Sequence, residues 1–245
     1  MVLVRKKYNN EMTAVREGKN TVLIGVLAAF FFICTFIYSY ASTTIAGNMN
    51  WGVGGNMTVS QSLGFTDDYT GIIVFLSLFL FTSLYLFHIQ GLSYYDFTWV
   101  FPVTVIIGSI LIGSLIWITT EKEPIIHVII AFIIFIGVQL LLVFTVYVYW
   151  NSDTYGNSKL RLRSIVGLLL FSIIIFIALI ISFVRSYNEY HIYALNIFAL
   201  MEVTMIFTFA FWIITIGWYP PLKYKKTKRQ KHKITFKNIT KKIFT

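Results

Sequence analysis

The chain has 245 residues, of which 57% are hydrophobic and only 12% charged, whereas a soluble domain carries about 25% charged residues. A mean hydropathy of +0.75 leaves too little polar surface to cover a fold in water, which excludes a soluble enzyme, a secreted disulfide scaffold and a disordered tail protein. The net charge of +10 does not rescue a nucleic-acid-binding globule, and the single cysteine, Cys34, excludes an internal disulfide or a Cys-based zinc site.

A transmembrane helix needs about 20 apolar residues, and six runs qualify. In chain order they cover residues 21–41, 70–90, 99–119, 127–150, 164–184 and 194–218. They are apolar all round, unlike the alternating strands of a membrane barrel. The first run is longer than the roughly 7–15 residues of a signal-peptide core. It follows a basic segment, 1–20, that also carries Glu11 and Glu17.

Lysine and arginine set the orientation. Eighteen of the twenty fall in the N-terminal segment, the loop between the fourth and fifth spans, and the tail after residue 218. Only Lys122 and Arg185 fall on the other side. The expected architecture is therefore an all-α integral membrane bundle of six helices with both termini cytosolic. It divides into a basic segment (1–20), a transmembrane domain (21–218) and a basic tail (219–245). The sequon Asn56-Met57-Thr58 lies in the first, luminal loop and makes Asn56 a glycosylation candidate.

Ionisable residues inside spans are costly and are functional candidates. In the sixth span Glu202 is either a protonated carboxyl bonded to a neighbouring helix or a site acid or headgroup contact. The interior of the bundle is its expected location, with His127, Gln139 and the small polar residues of the third span as candidate partners. His127, at the outer start of the fourth span, is an interfacial residue on one reading and a base on the other. His88, at the inner end of the second span, also reads as interfacial. Asp67, Asp68, Glu121, Glu123, Glu189 and His191 are read as a solvated outer surface; no tight ligand spacing supports a metal site, and no cofactor is expected. In the third span Thr104, Gly108, Ser109 and Gly113 form small-xxx-small pairs that suit close helix packing. Thr204, Thr208 and Thr215 suit hydrogen bonds within or between helices. In the tail, Lys223, Lys225, Lys226, Lys228 and Arg229 suit anionic lipid headgroups. No retinal-type lysine, phosphate loop, HExxH, GxSxG or arginine ladder is present.

The fourth span, with His127 followed by Ala131, Phe132 and Phe135, resembles the "H…AFxxF" segment of a eukaryotic six-span family. That family joins the damage-regulated autophagy modulators (DRAM), the Sfk-type plasma-membrane proteins and the post-GPI-attachment lipid-remodelling factors. The sixth span, with Ile197, Phe198, Ala199 and Glu202, is similar to its "IFAxxE" segment, although Val203 stands where an aromatic usually follows. The stretch from Arg185 to Tyr190 looks like the remodelling branch. The resemblance covers about residues 70–218; the first loop lacks the Ser-Asp-Thr-Gly stretch of the autophagy branch. It implies a membrane protein of the ER, Golgi, endolysosome or plasma membrane that supports lipid remodelling of the GPI-anchor type, lipid homeostasis or autophagy regulation. His127 and Glu202 match the family's positions, and the resemblance carries over no catalytic role. Catalysis and a non-catalytic regulatory role both stay open. The rival expectation is an accessory subunit of a larger membrane complex, such as one in the mitochondrial inner membrane. Partners are accordingly membrane lipids or other membrane subunits, and no nucleic acid. A lipid-sized cavity lined by Glu202 or His127 separates the first reading from the second.

Overall fold

In lipid every backbone N–H and C=O must find a partner within the protein, which leaves helices as the natural form for these apolar runs. The structure, a computed structural model, describes residues 2–45, 62–63, 69–90, 99–118, 123–151, 158–189 and 192–218. Among the described residues there are six long helices and no strand. They are α1 (Val2–Ile45), α2 (Thr70–Ile89), α3 (Val100–Ser114), α4 (Pro124–Asn151), α5 (Ser158–Glu189) and α6 (Ile192–Trp218).

Among the described residues five windows are long and apolar enough to cross a membrane: Thr21–Thr43, Thr70–Ile89, Ile125–Tyr149, Leu162–Arg185 and Asn196–Trp218. Each lies within a few residues of an expected span. The third expected span, 99–119, is corrected. Helix α3 has 15 residues, about 22 Å at 1.5 Å per residue, short of the roughly 30 Å hydrocarbon core. Its end is set by competing acceptors. Ser114 Oγ donates to the Leu111 carbonyl at 2.7 Å, and the Leu115 amide divides between the carbonyls of Leu111 and Ile112. A hydroxyl bonding its own backbone competes with the helix ladder, and residues 115–118 continue as turns.

Helices adjacent in sequence pack side by side, and α1 closes the ring against α6. The closing contact is tight: a Cβ on Gly25 would lie 3.2 Å from Gly217 Cα. Small residues let transmembrane backbones approach this closely. The contact places the start of the first window beside the end of the last, so Thr21 and Gly217 lie at the same end of the bundle. At the opposite end Thr43 Oγ1 donates to the carbonyls of Ser39 (2.7 Å) and Ser62 (3.1 Å), and the Ser39 and Ser62 hydroxyls lie 3.0 Å apart. Ser62 is thereby tied onto α1.

Aromatic rings fill the centre. Phe32 of α1 sits 4.8 Å, centroid to centroid, from both Phe79 of α2 and Phe209 of α6. Trp212 is wholly buried and stacks on Phe209 and Phe101. Its indole Nε1 donates to Thr145 Oγ1 at 2.9 Å, tying α6 to α4. Gln139 Nε2 donates to Ser172 Oγ at 2.6 Å, tying α4 to α5. Thr204, Thr208 and Thr215 bond back to the carbonyls of Leu200, Thr204 and Phe211, within their own helix.

Candidate functional site

Helix α6 turns Phe198, Ala199, Glu202, Met205 and Phe209 to the bundle interior at helical spacing. Glu202 is 1% exposed. It lies six residues into the Asn196–Trp218 window, about 9 Å deep at 1.5 Å per residue. It lines a cavity of about 40 Å³ together with Phe32, Phe36, Leu63, Phe135 and Phe209. Every other described lining side chain is apolar. The Tyr40 hydroxyl of α1 lies within electrostatic reach of the carboxyl. A charged side chain at the bilayer centre costs about 2.5–3.5 kcal/mol on insertion scales, so an ionisable residue held within a span is a functional candidate.

His127 is 2% exposed. The ring is held inside the bundle near the start of the Ile125–Tyr149 window, with Nδ1 2.7 Å from the Ile118 carbonyl at the end of the turn after α3. A carbonyl only accepts, so Nδ1 carries a proton, and in the neutral ring Nε2 presents a lone pair. Nε2 finds no partner among the described residues. His127 stands one turn, about 6 Å, beyond Ala131 on the same buried stripe of α4, and Ala131 lines the Glu202 cavity. Glu202 lines the cavity, whereas His127 lies one turn beyond its wall and does not line it. Gln139 turns its amide nitrogen to Ser172, and its Oε1 has no partner among the described residues.

A second cavity, of about 240 Å³, lies between α3 and α4. It shares Phe32, Ile112, Ile134, Val138 and Phe209 with the first, so the two adjoin. Sequence reasoning missed this space. Thr104, Gly108 and Ser109 were expected to draw helices together; they line the gap instead. Their small size signals room for a neighbour, and no helix takes it.

Other expected sites fare differently. His88 is exposed. Lys223, Lys225, Lys226, Lys228, Arg229, Asn56, Asp67, Asp68, Glu121 and His191 lie outside the described residues. Among the described residues no three His, Cys, Asp or Glu side chains come together as a metal site.

Residues 68–218 match the Frag1/DRAM/Sfk1/Cwh43P N-terminal domain. The chain belongs to this family. The match agrees within two residues with the stretch, 70–218, over which the sequence resembles it. No curated protein and no solved structure matches the chain. The Frag1/DRAM/Sfk1/Cwh43P match runs from α2 to the end of α6 and includes both His127 and Glu202. It leaves out α1 and nearly all of the first loop, yet these supply Phe32, Phe36 and Leu63 to the cavity wall. Part of the site is therefore built by chain outside the matched domain.

Proposed function

We propose that this multi-pass membrane protein takes a membrane lipid into its bundle and supports lipid remodelling or lipid homeostasis. One observation carries the reading: a buried carboxyl heads a cavity that adjoins a larger, almost wholly apolar space between two helices. An amphiphile matches that pairing, with its chain in the 240 Å³ apolar space and one small polar group at the 40 Å³ cavity beside Glu202. The remodelling-branch resemblance favours the lipid moiety of GPI anchors as the substrate class, at an ER or Golgi membrane. If the protein is a catalyst, His127 is the base, through its Nε2 lone pair, and Glu202 the acid. A regulator of autophagy or lipid balance would use the same site for binding alone.

The test is gentle purification followed by mass analysis of retained lipid. Wild-type protein should retain a stoichiometric lipid. Glu202→Gln keeps the shape and removes the charge and the titration. It should melt like the wild type and lose about tenfold in lipid retention, ~1.4 kcal/mol. Full retention and full function in Glu202→Gln would reduce Glu202 to packing. A stoichiometric membrane-protein partner with no retained lipid would replace the reading with the accessory-subunit one.

In the same reading the chain ends face the cytosol and Lys223, Lys225, Lys226, Lys228 and Arg229 hold anionic headgroups, at about 1 kcal/mol per basic residue. A tail peptide should bind anionic vesicles and release in high salt. Equal binding to neutral vesicles counts against the lipid contact. Protection of a C-terminal tag from protease added outside sealed, cytosolic-face-out vesicles counts against the orientation.

A further inference from the structure

The wall between α3 and α4 is loosely packed. A Cβ added to Gly108 would meet nothing within 4 Å, and one on Gly137 would reach only Thr104 Cγ2 at 3.9 Å. The cavity between the two helices runs from the level of Ile112 to that of Thr104, about 12 Å along the helix axis. Its lining is apolar except for the hydroxyls of Thr104 and Ser109. Ile107, Ile133, Ile136 and Leu140 belong to the same lining and are each about half exposed. They form a rim on the outside of the bundle, so the cavity opens sideways into the hydrocarbon rather than toward water. Inside the rim, Ser109 is 6% exposed and its hydroxyl has no partner among the described residues. A buried hydroxyl without a partner is costly in an apolar medium.

We propose that this gap is a lateral portal that seats one acyl chain of a membrane lipid, with Ser109 Oγ donating to the acyl carbonyl at the head of that chain. The proposal rests on the lipid-binding reading above and adds where the chain passes and what holds it. The occupant follows from the surroundings. The opening faces the bilayer interior, where acyl chains are the solvent, and the lining offers nothing to a charged or water-soluble group. The shared wall with the Glu202 cavity, about 40 Å³, leaves room there for one small polar group of the same molecule.

The experiment uses the full-length protein in membranes containing a phosphatidylinositol with a diazirine midway along one acyl chain. After illumination, adducts are mapped by peptide mass analysis. Buried lining residues Val105, Ile112 and Leu141 are shielded from bulk lipid. They should be labelled roughly tenfold above Ile165 and Leu179, which are equally buried but line neither cavity. Gly108→Leu, whose Cβ meets nothing within 4 Å, should abolish the labelling of Val105 and Ile112 without lowering the melting temperature. Gly137→Phe serves as a second plug. Ser109→Ala should weaken labelling by the ester-linked probe and leave an ether-linked probe unchanged; equal effects on both overturn the carbonyl contact. Labelling confined to the outward faces, such as Ile174 and Ile181, overturns the portal. If lipid is still retained in that case, the lipid-binding reading survives and only the route is wrong. If no lipid is retained either, the lipid-binding reading fails with it.

Discussion

Gly217→Leu is expected to prevent the bundle from closing. A Cβ at residue 217 would lie 2.5 Å from the Thr21 carbonyl oxygen and 3.1 Å from Gly25 Cα. Both atoms are backbone, so no side-chain rotation relieves the clash, and α1 must be pushed away from α6. Overpacking in a filled core costs about 1–3 kcal/mol. A leucine forced between two helix backbones belongs at or beyond the upper end of that range. The readout is thermal melting and monodispersity of the purified protein in mild detergent. Gly108→Ala, whose Cβ meets open space, is the control and should change the melting temperature little. A Gly217→Leu protein that melts like the wild type would mean that α1 and α6 do not cross at these glycines.

Trp212→Ala should be the most damaging truncation of the core. The side chain is fully buried, and it meets rings from three helices at centroid distances of 5.2–6.3 Å: Phe209, Phe87 and Phe101. Tryptophan-to-alanine changes in soluble cores cost about 3–5 kcal/mol. Part of that is transfer from water, which shrinks when the alternative surroundings are lipid tails as apolar as the core. The cavity part remains, so the lower end, about 3 kcal/mol, is expected. Trp212→Phe separates the ring from the hydrogen bond. Thr145 Oγ1 also donates to the Leu141 carbonyl at 2.7 Å, so its hydroxyl stays satisfied when the indole N–H is gone. Loss of that single interhelical bond should cost about 0.6–1.7 kcal/mol. Melting of the two variants in the same detergent tests the order; a Trp212→Phe protein as unstable as Trp212→Ala would assign the energy to the hydrogen bond.

The sequence alone determined where the membrane is crossed. Hydrocarbon demands long apolar helical runs, and five of the expected spans coincide with helices to within a few residues. It also pointed to Glu202 as an interior residue, because lipid offers a carboxyl no partner. The carboxyl is 1% exposed. The family was legible as well, in His127, Ala131, Phe132, Phe135 and the Ile197–Glu202 stretch.

Only the tertiary structure decided which faces meet. In water an amphipathic stripe announces the buried side of a helix. In lipid both sides are apolar, so the pattern of Ile, Leu and Phe in α3 and α4 says nothing about which residues face a neighbour. Small residues mark places where a close approach is possible, and complementarity across the gap decides whether it happens. Gly25 and Gly217, far apart in the chain, meet backbone to backbone, while Gly108 and Ser109 of α3 face a cavity. The end of α3 was hidden for a related reason: residues 115–118 are as apolar as the helix before them, and it is the hydrogen bonds of Ser114, Leu115 and His127 that stop the helix and draw the imidazole inside.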